Sequence, residues 1–329
     1  MILIKSRSKN SIIRKVIFYI IYGFVLFIIG ITIQRFGIIG NVIIPYFKSE
    51  ERKLFNYIKP FEGEVINIDI PFDNFNKLKQ LREDALQSGL LQNSIYVSCK
   101  INNKDIEYSA KIRLKGDMLE HVMDKEKWSF RIKFDGGNNL WGMKKFSIHH
   151  PIHRNYLNEW LFHKTLKTEE IISLRYFFIK VILNGNDLGI YAVEENFDER
   201  LIENNDRRDG IIIRFDEQWD WIESHQFRRF KEKREHRSGY GSFYSLPIST
   251  FNRNKVNIDS IKIKQFNNAH YLMDGFRSGN ITTTQAFDIK KLAKYFALVD
   301  LLGGLHGSIV QNIRLYYNPI TNKLEPVGF

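Results

Sequence analysis

The chain of 329 residues contains one cysteine, Cys99. A lone thiol closes no internal disulfide and builds no cysteine-based zinc site, so the fold must hold by packing alone. No Gly-Lys-Ser/Thr follows the glycines Gly303, Gly304 and Gly307, which excludes a P-loop. His149, His150, His153 and His163 crowd one stretch, but no carboxylate or cysteine stands at a typical ligand spacing beside them. The order His-His-Pro-Ile-His matches no familiar zinc site. No acid occurs in the first fifteen residues, and no charge of either sign between Val16 and Ile33.

That uncharged run, built from Ile, Phe, Val, Leu, Tyr and Gly, is long enough to cross a hydrocarbon core of about 30 Å at about 1.5 Å per residue. It exceeds the apolar core of a cleaved signal peptide, and Gln34, Arg35 and Phe36 follow it in place of a small-residue cleavage site. The sequence therefore predicts a transmembrane helix over 16–34. Lys5, Arg7, Lys9, Arg14 and Lys15 precede the span, whereas only Arg35 follows before Lys48. This bias predicts a cytoplasmic tail over 1–15 and a non-cytoplasmic bulk. The net charge of +12 suits an anionic lipid surface, a nucleic acid or a phosphate-bearing ligand. With 43% hydrophobic and 14% aromatic residues, the remainder has material for a substantial core.

Residues 35–94 read as a juxtamembrane connector and N-terminal extension, with strand-like alternation over Glu64 to Ile70 and a helical rhythm over Phe72 to Leu90. Tyr96 to Ile101 and Ile106 to Leu114 form a predicted hairpin about a turn at Asn102-Asn103-Lys104. Further on, Trp128, Phe130, Ile132 and Phe134 face one side of a strand, leaving Ser129, Arg131 and Lys133 on the other. A short strand at Lys145 to Ile148 precedes a predicted helix, Asn155 to Lys167, with Leu157, Trp160, Leu161 and His163 on its apolar stripe and Glu159 beside it. Arg175 to Leu183 and Leu188 to Val193 flank Asn184-Gly185-Asn186-Asp187, a strong hairpin signal. Residues 200–285 read as a polar, irregular insertion or subdomain. The run Arg228 to Arg237 within it is interleaved with Glu232 and Glu235, which suits an exposed helix face better than a nucleic-acid site. Asp288 then caps a helix ending at Gly303-Gly304, followed by strands at Ile313 to Tyr317 and Leu324 to Phe329.

Hairpin, basic strand, helix with a Glu, second hairpin, helix, loop and third hairpin follow one another as in a protein kinase. In that frame Lys133 grips nucleotide phosphates and Glu159 holds it, while Asn312 offers an amide oxygen to a hard cation. Ile112-Arg-Leu-Lys-Gly116, Lys127-Trp-Ser-Phe-Arg-Ile-Lys-Phe134 and Leu140-Trp-Gly-Met-Lys-Lys-Phe146 resemble the CotH kinase-like family of atypical protein kinases. So do Arg154 with Glu159, Asn184-Gly185 with Gly189-Ile-Tyr191 and Glu194, and Leu301-Leu-Gly303 through Asn312-Ile-Arg-Leu-Tyr316. The resemblance spans about residues 95–329 and implies an α+β, atypical protein-kinase-like fold there. It also implies transfer of the γ-phosphoryl group of ATP, with Mg²⁺, to Ser or Thr hydroxyls of a protein. Arg113 and Lys133 would neutralise phosphate, Glu159 orient Lys133, Asn312 bind Mg²⁺ and Glu194 lie near the nucleotide edge. Lys115, Lys127 and Arg131 are rivals for the phosphate-gripping role.

Many members of that family carry an Asp in the loop before the Asn; here the loop reads Gly303-Gly-Leu-His-Gly-Ser308, so His306 or Asp300 is expected to serve as base. The family's metal-binding Asp follows a strand like Pro326-Val-Gly-Phe329, where this sequence stops, so the chain reads as truncated and catalytically weak. The expected protein is a membrane-anchored kinase acting on surface or exported proteins, with no nucleic-acid partner. The alternative is a non-catalytic surface-binding or assembly module with the same fold.

Overall fold

The computed structural model describes residues 62–91, 94–116, 119–216 and 243–329. The tail 1–15, the helix expected over 16–34 and the run Arg228 to Arg237 lie outside the described residues. Among the described residues, no helix is long and apolar enough to cross a membrane. The chain divides into two compact units, Met1–Glu62 and Gly63–Phe329, and the second carries every element that follows. It is a mixture of helix and strand, as the α+β expectation holds.

Seven strands close into a barrel: β1 (Val65–Asp69), β2 (Val97–Asn103), β3 (Ile106–Leu114), β4 (Phe130–Phe134), β5 (Lys145–His149), β6 (Tyr176–Leu183) and β7 (Asn186–Glu195). Their order is β1-β2-β3-β4-β5-β7-β6. Alternate residues fill the interior, including Ile66, Ile68, Ile112, Leu114, Phe130, Ile132, Phe146 and Ile148. β1 closes the ring by pairing antiparallel with β2 and parallel with β6. The compact unit begins at Gly63, and β1 supplies the strand that closes its barrel. α1 (Phe72–Ser88) buries Leu78 and Ala85 against the same core, with Phe75 stacked on Trp128. The β6–β7 turn is Asn184-Gly185, with φ of 47° and 79°, the left-handed pair that a two-residue hairpin turn of this hand requires.

α2 (Asn158–Thr168) corrects the expected stripe. Its buried positions are Glu159, Phe162, His163 and Leu166, whereas Leu157 and Leu161 are exposed. Both sets have helical spacing; the buried one pairs the polar Glu159 and His163, 3.2 Å apart, so hydrophobicity alone does not select the buried face. α3 (Glu199–Asn204) then leads to β8 (Ile212–Phe215).

The region 200–285 holds more order than its polarity suggests. β9 (Ile248–Thr250), α4 (Arg253–Val256), α5 (Ser260–Arg277) and α6 (Thr283–Ala286) follow β8. α7 (Ile289–Leu302), β10 (Arg314–Asn318) and β11 (Lys323–Val327) complete the unit. The second sheet is antiparallel, in the order β11-β10-β8-β9. Asp259 caps α5 by accepting from the amides of Ile261 and Lys262. Phe266, Ala269, Met273 and Phe276 set α5 against one face of this sheet. The opposite face packs Ile212, Tyr316 and Val327 with Phe197, Leu201, Phe251 and Phe329. Asp288 caps α7, and Gly303 ends it with φ of 67°, turning the chain into the segment 304–312. The hydroxyl of Tyr295 donates to the Gly307 carbonyl and fixes that segment at 3.1 Å.

Candidate active site

The site is built on the outside of the barrel wall. Because Ile112, Leu114, Phe130 and Ile132 point inward, Arg113, Lys115 and Arg131 point outward. The register places Arg113 opposite Arg131, Arg131 opposite Ser147, and Ser147 opposite Glu194, one row across four strands. Lys115 lies just past the end of β3, where its amide donates to the Ser129 carbonyl.

Lys115 Nζ donates to Glu194 Oε1 at 2.7 Å, and both side chains are buried, 6% and 4% exposed. Burial pulls the Lys115 ammonium down to about 8 although Glu194 opposes it. Burial would raise Glu194, but Lys115, His149 and Arg154 outweigh it and hold the carboxyl well below its ordinary range. Both partners are therefore charged at neutral pH. Among the described residues the second oxygen of Glu194, Oε2, is buried with no hydrogen-bond partner.

Across from this pair, Arg154 Nη2 lies 3.0 Å from His306 Nε2. Burial and the Arg154 charge push His306 down to about 4, so its imidazole is neutral and its Nε2 lone pair accepts from Arg154. Asn312 Nδ2 donates to the His306 carbonyl at 2.9 Å, which orients the amide. Arg314 is held among the rings of Phe197, Phe251 and Phe329, each within 5.6 Å of its guanidinium carbon, and donates to the carbonyls of Gln311 and Ile313.

These groups surround a cavity of about 740 Å³ between the barrel wall and the second sheet. Eight arginine and lysine side chains line it against three carboxylates, Glu120, Glu194 and Glu195. A recess with that balance, partly removed from water, attracts a compact polyanion. Among the described residues no three His, Cys, Asp or Glu side chains gather as a metal site.

Of the residues singled out from sequence, Arg113, Glu194, His306 and Asn312 line the cavity. Lys133 does not: it is exposed near the opposite end of β4. The expected pairing of Lys133 with Glu159 is not the one this fold makes. Glu159 is buried on α2 with Oε1 3.2 Å from His163 Nε2; burial opposes its ionisation, and His163 with Arg154 keeps its carboxyl lowered. Asp300 is exposed on α7, outside the lining. Among the rivals, Lys115 and Arg131 line the cavity, while Lys127 donates to the Ile190 carbonyl over the Tyr191 ring. Lys145, Arg214 and Arg314 were not singled out. Lys115 shares the face of Arg113 and stands just past the strand end before Gly116, but strand parity alone does not rank it above Lys111 or Lys133. Glu194 and Glu195 close an apolar strand, and buried carboxylates there require cationic partners.

A cavity lined by eight arginine and lysine side chains lies between the barrel wall and the antiparallel second sheet of an α+β unit. A family model described as CotH kinase protein matches residues 112–327, and the chain belongs to that family. A comparison with curated proteins returned no match.

Proposed function

We propose that the cavity binds the triphosphate of ATP and that the chain transfers the γ-phosphoryl group to Ser or Thr of a surface or exported protein. The observation that carries this reading is the buried Lys115–Glu194 ion pair at the wall of a cation-lined cavity. Phosphoryl transfer needs positioning and charge neutralisation more than covalent chemistry. Lys115 is the phosphate-gripping lysine and Glu194 the carboxylate that aims it, the roles first sought in Lys133 and Glu159. Arg113, Arg131 and Arg154 neutralise the remaining phosphate charge.

The donor set fits a divalent cation in company with phosphate. Glu194 Oε2 is a buried carboxylate oxygen without a partner among the described residues, and Asn312 brings an amide to the same cavity. Mg²⁺ characteristically takes one or two protein oxygens and completes its shell with phosphate oxygens and water. When bound, it would neutralise charge on the transferring phosphoryl group.

A second reading keeps the binding and drops the transfer. It is favoured by the loop Gly303–Ser308, which has no carboxylate, and by His306, whose Nε2 is occupied by Arg154 and whose basicity is low. Both readings place the unit outside the cytoplasm behind an anchor at 16–34. The test is incubation of the detergent-solubilised full chain with γ-labelled ATP, Mg²⁺ and exported proteins. The kinase reading predicts label on Ser or Thr that Lys115→Met abolishes; nucleotide binding without label would leave the non-catalytic module.

A further inference from the structure

The basic face of the barrel does not end at the cavity. One row further along the strands, the register sets Lys111 opposite Lys133 and Lys133 opposite Lys145. Lys145 lines the cavity, while Lys133 and Lys111 are exposed and lie outside its lining. Three lysines thus stand side by side on adjacent strands, about 4.8 Å apart in the pairing direction. Like charges directly opposite one another destabilise a sheet, so such a row is unfavourable in the free protein. Compensation is thin: Lys111 reaches Asp135 at 3.8 Å, and among the described residues neither Lys133 nor Lys145 has a carboxylate within salt-bridge distance. Lys145 is half-buried, with Arg131 and Arg113 among the charges that surround it.

We propose that this row is the docking track for an acidic stretch of the acceptor polypeptide, leading it from the outer barrel wall into the cavity. The inference rests on the nucleotide reading, which puts the phosphoryl donor at the inner end of the track. The row is Ser98, Lys111, Lys133 and Lys145, with no aromatic platform on which bases could stack, so an acidic polypeptide suits it better than a single-stranded nucleic acid. Lysines, flexible point charges, suit irregularly spaced carboxylates better than a fixed phosphate geometry.

The experiment measures binding of a fluorescent Glu-rich peptide containing one Ser to the full chain, beside a charge-neutral peptide, an oligothymidylate and phosphatidylglycerol vesicles. The acidic peptide is expected to bind best and to weaken when salt rises from about 50 to about 300 mM. The Lys111→Glu/Lys133→Glu variant is expected to weaken it by about tenfold or more, with ATP affinity unchanged. Equal binding of the neutral peptide, no response to the double reversal, or a preference for oligonucleotide or vesicles would overturn the track. Loss of ATP binding by the unaltered chain would instead remove the nucleotide reading, and the peptide arm would still report on the row by itself.

Discussion

Lys115 shows why a side chain's surroundings outweigh its place in a sequence pattern. Removing one partner of a buried ion pair leaves the other charge without compensation, a loss of about 3–5 kcal/mol. Lys115→Met should therefore lower stability by that order in denaturant titration, and Lys115→Met/Glu194→Gln should recover part of it without recovering nucleotide binding. Equal loss in the single and double variants would mean that the pair is not the strained element. The histidines around it predict a pH response. Burial is the largest cause in each: His121 is lowered to about 3, His306 to about 4, His149 well below its ordinary value, and His153 downward. Their folded pKa values lie below the unfolded value near 6.5, so the unfolded chain binds more protons as pH falls. The stability they contribute is complete above about 6.5 and declines below it, by roughly 1–2 kcal/mol for each strongly shifted ring by pH 5. Melting temperature should drop steeply between pH 7 and pH 5; a flat profile would contradict the neutral cluster. Glu195 and Asp198, raised mainly by burial, partly offset the loss at the acid end.

At the scale of elements, the segment 304–312 brings His306, Gln311 and Asn312 to the cavity through one tight contact. A Cβ at Gly307 would overlap the Phe329 carbonyl oxygen and the Tyr295 hydroxyl. Gly307→Ala should cost about 1–3 kcal/mol and weaken nucleotide binding, while circular dichroism still reports the barrel. Unchanged nucleotide affinity would show that this segment does not shape the site. Several barrel strands were legible in the sequence because β1, β2, β4 and β6 alternate and Asn184-Gly185 fixes a turn, whereas β5 and β7 are buried over most of their length and the closure into a barrel was not read. The helices were less legible. α2 buries Glu159 and His163 beside Phe162 and Leu166, while Leu157 and Leu161 are exposed, so apolar residues occur on both faces. β8 is four residues long and buried on both sides, which removes alternation, and α5 spaces its apolar positions among lysines and asparagines. In the site, strand parity identified the basic face correctly, but it could not tell which residue of that parity lies at the cavity. That choice depends on where the second sheet sits, a long-range packing outcome. Lys115 lines the cavity and Lys133 does not, although the two outward rows of the strands are alike in charge until the cavity distinguishes them.

On the scale of the whole molecule, the two halves of the unit have separate tasks: the barrel supplies a charged wall, and the second sheet supplies aromatic and amide groups facing it. The proposed anchor would hold this cavity outside the membrane. Protease added to intact cells should then remove the unit and leave the first span protected, and alkaline washing should not release the full chain; protection of the unit would place it in the cytoplasm. The central claim is that the cavity is a nucleotide triphosphate site organised by Lys115 and Glu194. Its most direct test is calorimetric titration of the full chain with a non-hydrolysable ATP analogue, with and without Mg²⁺, beside Lys115→Met confirmed as folded. The account predicts one site per chain, tighter with Mg²⁺ and weakened at least about tenfold, or about 1.4 kcal/mol, by the substitution. No heat of binding from the folded, unaltered chain, or binding indifferent to Lys115, would contradict it.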